Sequence, residues 1–453
     1  MRIFVRDKEF YRQAAAIAVP ISLQSMITIG VNMMDNIMVG SLGEVVLSGT
    51  SLANQFVSLF HICCMGIGMG ASVMTARFWG MRDMDALKKT ITLMLRFCLG
   101  MAVLFTLPSI VAPGVLMRLY TPDADVVSQG ILYYRWIWPC FALQGLSLTC
   151  TIVLRSVGQV RLPLYSSIGA FFVNVFFNYV FIFGKFGFPR MEIQGAAIGT
   201  LIARAFEFAV ICGYFFLKDQ KVKYRIRHFF MECGSLLGEY VRVAIPVFVS
   251  DALLALGNSA VAMIMGRIGK EFVSANSITF VTQQLSTVLI QGVCHAGCIV
   301  TGHTLGRGEK KKAQEQAWTF LAMGILIGAA AGGVILLISD TVIGFYNITE
   351  QTRAIAGQLM SAISLIVVFQ STNSIMMKGV LRGGGDTRFL MVADILFLWV
   401  LSVPLGALAG LSWHLSAFWI YFFLKIDQIV KAFWCVTRLK SGKWMKGISG
   451  TKE

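Results

Sequence analysis

One pattern occurs twice in this chain, roughly half the chain length apart, and both copies lie in apolar sequence long enough to cross a bilayer. The first copy reads Pro20, Gly40-Ser-Leu-Gly43 and Val153-Leu-Arg155-Ser-Val-Gly158-Gln-Val-Arg161. The second reads Pro246, Gly266-Arg-Ile-Gly269 and Val380-Leu-Arg382-Gly-Gly-Gly385-Asp-Thr-Arg388. The step from Pro20 to Pro246 equals that from Gly40 to Gly266, and the step from Arg155 to Arg382 differs by a single position. The register therefore holds across most of each half. Repetition of a whole hydrophobic half points to two related helix bundles with a working cavity between them.

Composition agrees. Hydrophobic residues make up 56% of the chain and charged residues 14%, too apolar for a soluble core of this length to hide. Run lengths predict roughly twelve spans, at 14–38, 50–76, 91–116, 128–153, 164–185, 195–217, 241–265, 275–300, 317–339, 355–378, 389–411 and 415–436. The expected fold is therefore an all-α integral membrane protein with about twelve transmembrane helices. Six spans per half make the repeats parallel, related by an axis along the membrane normal. The basic connection 218–237 is the natural boundary between an amino-terminal lobe, 1–217, and a carboxy-terminal lobe and short tail, 238–453. The start, Met1 to Arg12, lacks the small-residue exit site of a cleavable signal, so the first apolar segment is expected to be retained.

The net charge of +16 would suit a nucleic-acid partner, but its distribution speaks against one. Lys and Arg gather before the first span, at Arg82, Lys88 and Lys89, across Lys218 to Arg227, at Arg307 and Lys310 to Lys312, and in the tail from Arg438. The alternate loops 41–47 and 339–351 have none. That is the positive-inside pattern, and it predicts a multi-pass protein of the cytoplasmic membrane with both termini in the cytoplasm. The ten cysteines lie mostly in apolar runs and act as small hydrophobes rather than a disulfide framework.

Ionisable groups inside spans cost about 2.5–3.5 kcal/mol at a helix centre and need a reason. Asp35, late in span one, has no basic neighbour in sequence and is the leading candidate. A partly desolvated carboxyl there can exchange protons, or hold a small hard cation together with neutral oxygens. Asn174 and Asn178 share one face of span five, and Thr200 opens span six. Their oxygens suit a sodium ion or a protonated carboxyl, and interhelical hydrogen bonding is the plainer role. Arg204 and Glu207, three apart, are expected to neutralise each other. Asp251, Lys378, Asp394 and Lys425, with Asp427, form either a structural lysine–aspartate network or a second polar, titrating centre. Arg155 and Arg382 sit at inner span ends, where headgroups or helix C-termini are the expected partners. His61 and His295 are lone imidazoles, and Cys294, His295 and Cys298 lack a metal-ligand pattern, so packing is the reading there. The sequon Asn347-Ile-Thr349 matters only in a glycosylating compartment.

The run Pro20, Asp35-Asn-Ile-Met-Val-Gly40-Ser-Leu-Gly43, Leu154-Arg-Ser-Val-Gly158, Asn178-Tyr-Val-Phe-Ile-Phe-Gly184-Lys-Phe-Gly187-Phe-Pro189 and Leu381-Arg-Gly-Gly-Gly-Asp386-Thr resembles the multidrug and toxic compound extrusion (MATE) family over essentially the whole chain. The resemblance implies a V-shaped pair of six-helix lobes exporting organic, often cationic, compounds by antiport against sodium ions or protons. It implies no cofactor beyond the coupling ion and no metal beyond sodium at Asp35. Asp35 matches the family's first-helix acid, Asn174, Asn178 and Thr200 its polar neighbours, and Pro20 a proline associated with helix bending. Some members carry an aspartate where this chain has Asn178, and another branch an acid where it has Ser371. Asp251 falls where related chains often have a seventh-helix acid.

The resulting expectation is a secondary active exporter, acting as a monomer in the lipid bilayer, and not an enzyme or a nucleic-acid binder. A lipid-linked precursor flippase of the same broader superfamily is the alternative within transport, disfavoured by the paucity of mid-span arginine. A membrane-embedded enzyme would need a nucleophile–base or metal constellation that the sequence does not offer. A passive channel would not call for two matching lobes.

Overall fold

The computed structural model describes residues 4–5, 7–346 and 348–447. Among them no strand occurs, as expected where hydrocarbon forces each backbone N–H and C=O to be satisfied within its own segment. The α-helices of the first half are α1 (Lys8–Gly40), α2 (Glu44–Met81), α3 (Met84–Val111), α4 (Pro113–Tyr120), α5 (Ala124–Ile137), α6 (Cys140–Ser156), α7 (Arg161–Phe183) and α8 (Glu192–Gly213). Those of the second are α9 (Gly234–Ile268), α10 (Lys270–Ser286), α11 (Val288–Gly306), α12 (Lys310–Gly344), α13 (Glu350–Ser374), α14 (Thr387–Asp394), α15 (Val403–Ala407), α16 (Ala417–Leu424) and α17 (Ile426–Ser441). π-Helical stretches at Tyr214–Lys218, Ile375–Leu381, Ile395–Ser402 and Leu408–Ser412 continue α8, α13, α14 and α15.

Ten of these helical segments are long and apolar enough to cross a membrane. The expected fourth span is a pair, α5 and α6, bent by 57° at Trp138-Pro139. This brings the count to eleven. The expected eighth span breaks at Thr287, between α10 and α11, and only α11 is apolar enough to count. The expected twelfth is interrupted at Lys425, which leaves α16 with 8 residues and α17 with 16, each too short to cross a membrane by itself. Apolar runs show where chain can sit in lipid, but a break at a single position does not alter run length. Helix ends follow local chemistry. The Asp83 and Asp123 carboxylates accept backbone N–H groups at the starts of α3 and α5, and Thr349 does so for α13. Gly184, in the left-handed conformation at φ 66°, ends α7. Asn347 of the sequon lies outside the described residues, as do Met1, Arg2, Ile3, Arg6 and the segment 448–453.

By contacts the chain forms two compact units. One comprises 1–22, 76–82 and 242–453, the other 23–75 and 83–241. Helix α1 runs unbroken through Pro20, and the first unit takes it only as far as Ser22. Small residues set the helix spacing inside each unit. In the first, a Cβ on Gly328 would lie 2.7 Å from the Val368 Cα, and one on Gly332 2.4 Å from the Ser364 carbonyl, so α12 and α13 touch backbone to backbone. At the ends of α2 and α11, a Cβ on Gly80 would meet the His303 carbonyl at 2.5 Å. One on Gly306 would meet the Arg77 carbonyl at 2.3 Å. Gly80 and Gly306, like Arg77 and His303, are separated by the same step as Pro20 and Pro246. Repeat-equivalent backbones thus face each other there with local twofold symmetry.

The repeat also reappears as a side-chain contact. Arg155 Nη2 donates to Gln24 Oε1 at 2.5 Å, and Arg382 Nη2 donates to Asp251 Oδ1 at 3.3 Å. The step from Gln24 to Asp251 is the step from Arg155 to Arg382, so each bundle ties the end of its fourth span to its first. This corrects the expected headgroup or helix-end role of the two arginines. A guanidinium that finds an internal acceptor avoids stranding all its donors, and Arg382 is only 4% exposed. None of the ten cysteines forms a disulfide, in line with their reading as small hydrophobes.

Candidate functional site

Asp35 is half-buried on α1, and its carboxylate Oδ1 accepts the Asn178 side-chain N–H at 2.6 Å. The same Asn178 nitrogen donates to Asn174 Oδ1 at 3.3 Å, and Asn174 is itself within hydrogen-bonding reach of Asp35. The two asparagines are 2% and 1% exposed, one turn apart on α7. Thr200 joins from α8 through Tyr133 of α5, whose hydroxyl donates to Asn54 Oδ1 of α2 at 3.0 Å and also bonds Thr200. Asp35 and the two asparagines thus form one hydrogen-bonded set, and Tyr133, Asn54 and Thr200 form a second that feels the Asp35 charge.

Close packing makes this convergence possible. Gly195 and Gly199, one turn apart on α8, face α7: a Cβ on Gly195 would sit 2.6 Å from the Phe181 carbonyl carbon. A Cβ on Gly199 would come 2.1 Å from Asn178 Oδ1. The absence of those side chains lets α8 approach α7 until the Asn178 amide is pressed toward α1. Among the described residues buried Asn178 Oδ1 has no hydrogen-bond partner, which leaves one oxygen of the amide unused. The Arg204 guanidinium pairs with Glu207 at 2.9 Å as expected, and its charge also acts on Asp35. Tyr133 and Asn54 were not singled out in the sequence. Neither lies at helical spacing from Asp35, and only the bend at Trp138-Pro139 and the packing of α2 on α5 bring them in.

Chemically the site offers one carboxylate, amide and hydroxyl oxygens, and one nearby cation already neutralised by Glu207. That set fits a proton or a monovalent hard cation carried as cargo. Among the described residues no three His, Cys, Asp or Glu side chains gather into one cluster. His61, read from sequence as a lone imidazole, bonds Gln144 across α2 and α6 at 3.1 Å.

The second-half charges do not assemble as one centre. Asp251 pairs with Arg382, with Lys378 adding positive charge nearby. Asp394 pairs instead with Lys431 of α17 at 2.8 Å, and Lys431 reaches Asp427 at 3.1 Å. Ser250 Oγ donates to Asp394, and Ser402 Oγ donates to Asp427 at 3.1 Å. Lys425 Nζ donates to Asn258 at 3.3 Å. Lys431 was missed because a lysine one turn after Asp427 on a charged terminal helix reads as surface. Gln283 joins helices, donating to Gln370 at 2.7 Å. Ser371 is fully buried.

A duplicated all-helical membrane bundle, with one carboxylate held among neutral oxygens in its first half, is the build of a multi-pass membrane transporter. The family model described as MatE matches residues 20–180 and 246–408, more than half of the chain, and the chain belongs to that family. The second match begins at Pro246, the repeat partner of the Pro20 that begins the first. The chain is 24% identical over 460 residues to the probable multidrug resistance protein NorM of Thermotoga maritima, covering 98% of this chain and 95% of that protein. It is 24% identical over 373 residues to the probable multidrug resistance protein YoeA of Bacillus subtilis, covering 80% and 79%. A crystal structure of a MATE mutant superposes with a TM-score of 0.87 at 19% identity, covering 97% of this chain and 98% of that one. At that identity the likeness speaks to the fold.

Proposed function

We propose that this protein is a secondary active exporter of small organic compounds, often cationic, driven by sodium ions or protons. The Asp35 site carries the reading. A lone carboxylate held at 2.6 Å by Asn178, among amide and hydroxyl oxygens and one spare buried oxygen, can take up and release a single positive charge. A cation on Asp35 removes the charge that Asn178 and Arg204 face, and so changes the energetics of the helices that carry them. Coupling then requires that cation and drug bind the alternating states differently. The names of the curated relatives, multidrug resistance proteins, support drug-like substrates. The distribution of Lys and Arg supports a cytoplasmic-membrane protein with both termini inside. In this reading it works as a monomer with no cofactor beyond its coupling ion. Asn174, Asn178 and Thr200 complete the coupling site, and Asp251, Asp394, Lys378 and Lys425 serve the structure of the second half.

The test is dye efflux from cells expressing wild type or Asp35→Asn under an imposed sodium or proton gradient. Wild type should extrude an organic cation under one gradient, and an equally expressed Asp35→Asn should lose that dependence. A mutant that matches wild type under both gradients refutes the assignment.

A further inference from the structure

The connection between α8 and α9 is outside the apolar spans, yet it is not a loose linker. The Asp219 carboxylate, fully buried, accepts the backbone N–H groups of Lys221, Val222 and Lys223 at 3.3, 2.8 and 3.1 Å, and the Gln159 amide at 2.9 Å. The Tyr224 hydroxyl shares a hydrogen bond with Thr92 of α3 at 2.8 Å, and burial pushes that phenol up to about 12. Arg96 of α3 donates to the Phe229 and Met231 carbonyls at 2.7 and 3.0 Å. The segment is therefore clamped to α3 and to the turn before α7.

That clamp displays an unusual surface. Ile226 is 64% and Phe230 79% exposed, both on the short 3₁₀ turn Ile226–Phe230. Lys218, Lys221, Lys223 and Arg227 of the same connection are also exposed. Asp219, the one acid between Lys218 and Phe230, is buried and saturated, and exposed Glu232 follows the turn. Two large exposed apolar side chains on a hydrogen-bonded connection that also exposes four cations are costly in water and complementary to an anionic lipid surface.

We infer that this connection is a docking site for anionic phospholipid headgroups, with Ile226 and Phe230 as apolar anchors entering the acyl boundary. Lys221, Lys223 and Arg227 bind the phosphates. Because the segment is clamped to α3 and to the turn before α7, the lipid contact fixes the inner ends of those helices against the membrane surface. The inference rests on the membrane fold and is independent of which compound is exported.

The full-length chain is reconstituted in vesicles containing brominated phosphatidylglycerol or brominated phosphatidylcholine. Quenching of Phe230→Trp is read against wild type as the tryptophan background. The new tryptophan should be quenched at a mole fraction of the anionic lipid lower by about tenfold or more, since each of the three basic residues is worth about fivefold near such a surface and together they compound to about a hundredfold. Adding Lys221→Gln, Lys223→Gln and Arg227→Gln should bring the two curves together. No additional quenching in either lipid overturns the inference, and equal quenching by both overturns headgroup recognition. Loss of the preference in millimolar inorganic phosphate would assign the cations to a soluble anion and overturn the lipid assignment.

Discussion

Replacing Gly199 by alanine tests whether close packing of α7 and α8 builds the Asp35 site. The added Cβ would sit 2.1 Å from Asn178 Oδ1, whereas ordinary contact begins near 3.4 Å, so that oxygen must retreat by more than an ångström. The Asn178 backbone nitrogen, at 3.0 Å, is also crowded, so rotating the amide does not relieve everything. Either the amide swings off the Asp35 carboxylate, losing a charged hydrogen bond worth about 1.5–3 kcal/mol, or the helices part at an overpacking cost of about 1–3 kcal/mol. Both routes predict loss of cation-driven efflux with an intact fold, measured by dye extrusion alongside thermal unfolding in detergent. A double-mutant cycle makes the reasoning specific. Asn178→Ala removes the crowded oxygen, so the cost of Gly199→Ala should fall by about 1 kcal/mol in that background. Gly195→Ala is the control, since it crowds α7 at Phe181 without facing Asn178. Equal costs for Gly199→Ala in both backgrounds would refute the account.

Two further outcomes follow from the buried charges. Arg382→Ala should destabilise the chain by about 3–5 kcal/mol by stranding Asp251, whereas Asp251→Gln recreates the guanidinium–amide contact that Arg155 makes with Gln24 in the first half and should unfold near wild type. Lys431→Met leaves Asp394 and Asp427 without their shared cation and should lower the melting temperature far more than Asp394→Asn, both read by thermal unfolding of the purified protein.

Apolar run length, positive-inside loops and the repeat that pairs Pro20 with Pro246 determined the all-helical membrane fold and its two related halves, because each depends on transfer free energy and chain order alone. Asp35, Asn174 and Asn178 were legible for the same reason: polar groups in lipid-length sequence are costly, and i,i+4 spacing places two of them on one face. Tertiary structure decided the rest. Spacing gave the Arg204–Glu207 pair within one helix, but which acid meets which base between helices could not be read from it: Lys431 rather than Lys378 or Lys425 holds Asp394, and Arg382 turns inward to Asp251. Thr200 reaches the site only through Tyr133, and Asn178 faces Asp35 only because Gly199 has no side chain. Hydrophobicity and periodicity act along the chain and survive in the sequence. Pairing and close approach depend on distances across the bundle, which exist only once the helices have packed.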